Sequence, residues 1–269
     1  MTQGMVTMKE ELKLAFGNRR MWLSFGIMLL CFLGMSVPSW LDSADWGELY
    51  RPTAFEQSLI GIFFGGVMLV MPFCASFPYA TSIVEEMRTN YFQWKVMRTG
   101  VRRCARNKAL AVALSGAVAV TAAYVLNAVL WHMIAMPYDP LTYPNHKTYF
   151  AEAVIWHAWD EIFYGVPILC WIGCGIFLVS GIWAFFGLTA AVWIPDKVLS
   201  TVIPVCIYHL WMAGFTWFLF GFRSVTPEAL FNDGLTMDRL IQSLIAYGVM
   251  LPAAYSLYLL GVERRARHG

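Results

Sequence analysis

Six long stretches of the chain carry no Asp, Glu, Lys or Arg: Met21–Leu41, Gln57–Val84, Ala109–Tyr138, Ile162–Pro195, Val198–Phe222 and Leu240–Val262. A helix needs about 20 apolar residues to cross a hydrocarbon core of about 30 Å. Each stretch is therefore long enough to span once. The pattern predicts an all-α integral membrane protein, a single transmembrane domain over 1–269 with spans at about 21–41, 58–84, 109–137, 162–195, 198–222 and 240–262. Only 162–195 is long enough to raise the question of two crossings.

Between the spans the pattern changes period. Over 4–20, Met5, Met8, Leu12 and Ala15/Phe16 recur at helical spacing, with Lys9, Glu10 and Lys13 mostly between them. That spacing suits an amphipathic helix lying along the membrane surface and leading into the first span; a polar leader with chance periodicity is the plainer alternative. Residues 85–108 are basic and aromatic, and too long for a plain hairpin between neighbouring helices. Tyr91 and Trp94 share a helical face with Met87 and Arg98, and Thr99-Gly100 breaks the helix before a second basic turn enters the third span. Two readings fit this segment: a short helix presenting charge and aromatics to a soluble partner, or an anchor to anionic headgroups. The segment 223–239 contains Thr226-Pro227-Glu228, a helix start with Pro in the first turn, and reads as a partly folded outer loop.

Charge fixes the orientation. With six spans and both termini cytoplasmic, the inner segments hold Lys9, Lys13, Arg19, Arg20, Arg88, Lys95, Arg98, Arg102, Arg103, Arg106, Lys108, Lys197, Arg264, Arg265 and Arg267. The outer loops hold only Arg51, Lys147, Arg223 and Arg239, which completes the 19 basic residues. Lys and Arg accumulate on the cytoplasmic side, and a double crossing over 162–195 would put Arg264, Arg265 and Arg267 outside. One long helix is expected there. Trp22, Trp40, Trp131 and Trp193 sit near span ends, where indoles favour the headgroup layer. The first apolar run has no small-x-small cleavage pattern after it and is expected to stay in the mature chain.

Composition agrees. Of 269 residues, 59% are hydrophobic and only 13% charged, against roughly 25% charged in soluble domains. Too little polar residue remains to coat a soluble surface, which excludes a soluble enzyme, a disordered chain and a nucleic-acid binder. All cysteines except Cys104 lie inside spans, so no outer disulfide framework is expected, and Cys170 and Cys174, at i and i+4, read as packing residues.

The chemistry-bearing residues are few. The spans carry essentially no charge between their ends, which argues against carboxylate-coupled transporters, voltage sensors and retinal pumps. His132 and His209 could ligate haem only as a lone pair on the third and fifth spans, and His157 and Glu161 lack a third metal ligand. No metal site is expected. Neither G-x-S-x-G, H-E-x-x-H nor a Walker G-x-x-x-x-G-K-[ST] occurs, so any ATP dependence would come from another subunit.

The order of parts resembles the membrane subunit of a type-2 ATP-binding-cassette (ABC) exporter over essentially the whole chain. In residues 85–108, Glu85 and Glu86 match the family's acidic start, Thr99-Gly100-Val101-Arg102-Arg103 its middle and Lys108 its closing Lys; the chain departs at Thr89-Asn90 and at Gly100. Glu10-Glu11-Leu12 with Asn18-Arg19-Arg20 is similar to the family's entry into the first span. The resemblance implies a permease without catalysis of its own, in the plasma or inner cell membrane, paired with a second permease copy or paralogue. No cofactor would bind this chain; ATP and Mg would belong to a cytoplasmic ABC ATPase partner. It implies a coupling helix over 85–98, with Glu85, Glu86, Tyr91, Phe92, Trp94, Lys95, Arg98, Arg102 and Arg103 at the ATPase interface. Met5, Met8, Leu12 and Phe16 would carry the connecting helix. The cargo, a lipid, drug-like molecule or amphipathic peptide, would pass Phe63, Phe64, Phe73, Phe77, Trp211, Phe215 and Trp217, although aromatics at these positions also suit packing or lipid contact. The competing classes are a membrane-embedded enzyme, haem-containing or lipid-modifying, and an accessory protein that moves nothing.

Overall fold

The computed structural model describes residues 8–42, 54–64, 66–135, 166–214 and 237–268, and all of these form helices or the short links between them. In chain order the helices are α1 Met8–Phe16, α2 Arg19–Asp42, α3 Ala54–Phe64, α4 Val67–Ser76, α5 Ser82–Arg88, α6 Tyr91–Thr99, α7 Val101–Ile134, α8 Val166–Trp193, α9 Lys197–Ala213 and α10 Met237–His268. Four of them, α2, α7, α8 and α10, are long and apolar enough to cross a membrane. Large apolar side chains such as Leu30, Leu178, Val249 and Leu260 are exposed on their outer surfaces. Water would not tolerate such a coat; hydrocarbon does. The chain is a multi-pass membrane protein.

Helices α7 and α8 make the central pair; α2 and α3 pack on α7, α4 packs on both and also on α9, and α9 and α10 pack on α8. Close approach requires small residues here. A Cβ added at Gly116 would stand 2.3 Å from the Ala75 carbonyl oxygen and 2.5 Å from the Ala184 Cβ. This glycine therefore lets α7 sit against α4 and α8 together. Tyrosines tie the same helices: Tyr124 Oη donates to the Leu169 carbonyl at 3.0 Å, and Tyr258 Oη to the Ala105 carbonyl at 3.1 Å.

The two ends of the bundle differ. At one, Trp40 and Trp131 pack at 5.7 Å between ring centroids. At the other, Trp22 is exposed at the start of α2, and Trp193 Nε1 donates to the Leu257 carbonyl at 3.1 Å. Eighteen residues of α2 separate Trp22 from Trp40, about 27 Å at 1.5 Å per residue, close to the thickness of a hydrocarbon core. The basic segments gather at the second end. Arg20 and Lys197 both reach Glu85, at 3.3 Å and 2.6 Å, and Gln93 Nε2 donates to the Arg265 carbonyl at 3.1 Å. The start of α1 and the end of α10 therefore share one end of the bundle.

Several expected boundaries shift. The stretch 58–84 is not one helix: Gly66 takes a left-handed conformation (φ +67°) between α3 and α4, and α4 stops before Pro78. The segment 85–98 is two helices rather than one, because Asn90 takes φ +56° between α5 and α6, a conformation that Asn tolerates better than most residues. This separates Met87 from the face of Tyr91 and Trp94. Helix α1 is described only from Met8, so Met5 lies outside the described residues, as do 223–236, His157 and Glu161, while 237–239 already belong to α10. The stretch 162–195 contains the single unbroken helix α8. Cys170 and Cys174 are exposed on it rather than packed inside.

Replacing Gly116 by Ala should lower the thermal midpoint of the detergent-solubilised protein, with a cost of about 1–3 kcal/mol typical of overpacking. Gly26→Ala, where an added Cβ meets nothing within 4 Å, should be neutral or mildly stabilising. Equal midpoints for the two variants would contradict the close three-helix approach.

Candidate functional site

The basic end is organised around charges that are held out of water. Glu11 of α1 and Lys95 of α6 have side chains 3% and 2% exposed; Lys108 of α7 is 3% exposed and Glu86 of α5 13%. Lys95 Nζ donates to Glu11 Oε1 and, at 2.9 Å, to Glu86 Oε1. Lys108 Nζ donates to Glu86 Oε1 at 2.6 Å and lies 3.7 Å from Glu11 Oε2. Tyr79 Oη donates to Glu11 Oε2 at 2.8 Å, and the Lys108 ammonium sits 4.0 Å from the centre of the Tyr79 ring. Lys95 is similarly 4.9 Å from the Tyr91 ring. Two lysines balance two glutamates, and the Tyr79 and Tyr91 ring faces lie against the ammonium groups.

Burial works against charge on Glu11, but Lys108 and Lys95 outweigh it and hold the carboxyl below the usual carboxylate range. Burial likewise disfavours the Lys95 ammonium, yet Glu86 and Glu11 together push its pKa above the ordinary lysine value. Both shifts keep the cluster ionised.

A second, more exposed node surrounds it. Glu85 accepts from Lys197 and Arg20, and the hydrogen bond from Lys197 is the main reason its carboxyl lies below the usual range. Arg20 also donates to Thr81 Oγ1 at 2.7 Å. Asn18 caps α2 by accepting from the Arg20 amide at 3.1 Å, while its own amide donates to the Pro78 carbonyl at 2.9 Å. Asp196 caps α9, accepting from the Val198 and Leu199 amides at 2.9 Å each; these bonds lower its pKa. Arg265 donates to the Val192 and Trp193 carbonyls, both at 3.3 Å, closing the C-terminus of α8.

The predicted interface residues accordingly divide. Phe92 and Lys95 are buried and Glu86 nearly so, so these three belong to the scaffold of the bundle rather than to its outer face. Tyr91, Trp94 and Met97 are 47%, 61% and 78% exposed. Arg98 is exposed beside Trp94, with its guanidinium carbon 5.8 Å from the indole. Helix α6 thus turns one face into the ionic cluster and the opposite face outward. Glu85 is exposed but engaged in the second node, and Arg102 and Arg103 are exposed on the first turn of α7. In α1, Met8, Leu12 and Phe16 are half-buried, and the fully buried positions are Glu11 and Ala15.

Of the cargo-path candidates, Phe73 and Phe77 are half-buried and stack at 5.2 Å on one face of α4 and its cap. Trp211 packs between Trp183, at 6.2 Å, and Tyr247, at 5.6 Å, as part of the inter-helix aromatic row. Phe63 and Phe64 end α3, while Phe215 and Trp217 lie outside the described residues. His132 Nδ1 bonds the Ala128 carbonyl at 2.8 Å, and His209 packs edge-on against Tyr208 at 5.3 Å. Among the described residues no three His, Cys, Asp or Glu side chains are grouped as metal ligands. The sequence reading passed over Gln57, Thr121 and Asn127. Gln57 is buried in α3 with neither side-chain atom bonded among the described residues, and neighbouring Ser58 accepts from Asn127 Nδ2 at 3.5 Å. Polar side chains inside apolar helices were the available signal.

Lys95→Met strands two buried carboxylates on one lysine, and should destabilise the protein by about 3–5 kcal/mol. Adding Glu11→Gln should recover part of that loss; strict additivity of the two changes would contradict the coupling. The glutamate contribution is complete above the unfolded pKa of about 4.3 and is lost as pH falls through the lower folded value. The Lys95 contribution is complete below about 10.4 and is lost as pH rises through the higher folded value. Thermal midpoints measured across pH should therefore show a plateau between these limits, with the penalty of Lys95→Met shrinking on the acid side.

No family model, curated protein or solved structure matches this chain.

Proposed function

We propose that this chain is the membrane-spanning permease subunit of an ATP-driven ABC exporter of the type-2 kind, with α6 as the helix that docks on a separate cytoplasmic ATPase. In this reading the basic end faces the cytoplasm, and the apolar stretches 58–84 and 198–222 of the sequence supply the two crossings that complete six. Two permease copies or paralogues enclose the passage, and the cargo is hydrophobic or amphipathic.

The observation that carries the reading is the two-faced α6. Its outward residues Tyr91, Trp94, Met97 and Arg98 are the types that dominate binding energy at protein interfaces. Its inward residues are Phe92, which is buried, and Lys95, which is locked to Glu11 of α1 and Glu86 of α5. A helix that transmits movement from a soluble partner must be both sticky outside and rigidly tied inside. Headgroup anchoring needs the first property only. Among nucleotide-driven transitions, rigid-body shifts of packed helices are the common means of carrying such a movement, and α1 and α7 share the cluster with α6.

Changing Trp94, Met97 and Arg98 together to Ala should leave the protein in the membrane and alter its stability by no more than about 1 kcal/mol, since the side chains are exposed. The same change should remove a Walker-motif ATPase that otherwise co-purifies stoichiometrically in mild detergent, along with its transport-linked hydrolysis. A wild-type chain that purifies without any ATPase would sink the proposal and promote the enzyme or accessory classes.

A further inference from the structure

Beyond that reading, we infer that the groove between α7, α8 and α10 is a binding site for one anionic phospholipid, taken from the leaflet at the basic end. The groove encloses about 680 Å³, within the range of small-molecule sites, and is lined by all three helices. Ala109, Ala113 and Ala117 form its α7 wall and Gly181 part of its α8 wall, so the helix surfaces are hollowed where larger residues would fill them. Leu110, Leu178 and Tyr255 are exposed along its edges, which leaves it open to the surrounding hydrocarbon.

Its length and its single charge identify the occupant. Arg106 and Ala117 mark the two ends on α7, eleven residues or about 16 Å apart, which is half of a hydrocarbon core about 30 Å thick. The groove therefore runs from the headgroup level to the middle of the membrane, the depth of one leaflet. Arg106 is the only charged side chain among the lining residues. It is exposed and makes no ion pair or hydrogen bond within the described residues, unlike Arg20, Lys95, Lys108, Lys197 and Arg265 around it. A molecule that matches is an amphiphile with a hydrocarbon tail and a phosphate at the guanidinium, which forks onto two phosphate oxygens. No carboxylate lines the groove to receive the cationic end of a zwitterionic headgroup. The preference is thus for a net negative lipid such as phosphatidylglycerol over phosphatidylcholine.

Native mass spectrometry of the detergent-solubilised full chain, given equimolar phosphatidylglycerol and phosphatidylcholine of identical acyl chains, tests the assignment. The wild type should retain phosphatidylglycerol about five-fold over phosphatidylcholine, the attraction of one basic side chain at an anionic surface. Arg106→Gln should bring the ratio to about one, and Arg106→Lys should keep most of it. Ala113→Phe, which fills the groove, should lower retention of both lipids. Arg106 is exposed, so its two variants decide the matter even if Ala113→Phe folds poorly. An unchanged ratio in Arg106→Gln would overturn the assignment. So would a dimer that forms without lipid and is lost in Ala113→Phe, because the groove would then be filled by a second copy of the chain.

Discussion

Holding four charged side chains away from water at one end of an apolar bundle imposes a condition on the helices around them. Each ion would cost several kcal/mol if desolvated alone, so Glu11, Glu86, Lys95 and Lys108 are tolerable only together and in contact. They come from α1, α5, α6 and α7, spread over almost a hundred residues of chain. A displacement of any one helix leaves a charge unmatched in a medium that screens it poorly. The cluster is therefore better understood as a device for fixing register than as a source of net stability, since apolar replacements of all four members could be equally stable. Tyr79 extends the device to the link after α4, through its hydroxyl on Glu11 and its ring under Lys108.

From this node the rest of the basic end follows in shells. Glu85 gathers the first turns of α2 and α9, Arg265 closes the end of α8, and Gln93 joins α6 to the end of α10. Almost every helix terminus on this side is thus connected to the segment 85–108. A force applied to the outer face of α6 would act on a connected layer, not on a loose loop. The membrane-embedded part is held differently, by close approaches such as Gly116 and by aromatic contacts such as Trp183 with Tyr208 at 5.2 Å.

Long uncharged stretches made the membrane class and the main helices legible in the sequence, because hydrocarbon thickness converts directly into residue number. The single helix over 166–193 and the break at Gly100, which takes φ +78°, could be read for the same local reasons. The buried charges could not, because a charged residue in a basic segment is ordinarily solvated, and only tertiary pairing turns Glu86 and Lys95 inward. One signal was available for Glu11: it lies three residues after Met8 and four before Ala15, on the apolar face of α1, where a lone carboxylate demands a partner. The aromatic candidates failed to separate for a related reason. Trp211 and Phe73 have the same composition signal, yet one is locked between Trp183 and Tyr247 while the other shares a half-buried stack.

The proposed docking of α6 on a soluble nucleotide-binding partner rests on its outward residues Tyr91, Trp94, Met97 and Arg98. The most direct measurement is photo-crosslinking in native membranes with a benzophenone side chain at position 94, and at position 133 as the control, since Met133 is exposed at the opposite end of α7. A covalent adduct to a Walker-motif ATPase from position 94 and none from position 133 is the predicted result. Adducts from position 94 to lipid alone, or to the same protein from both positions, would contradict it.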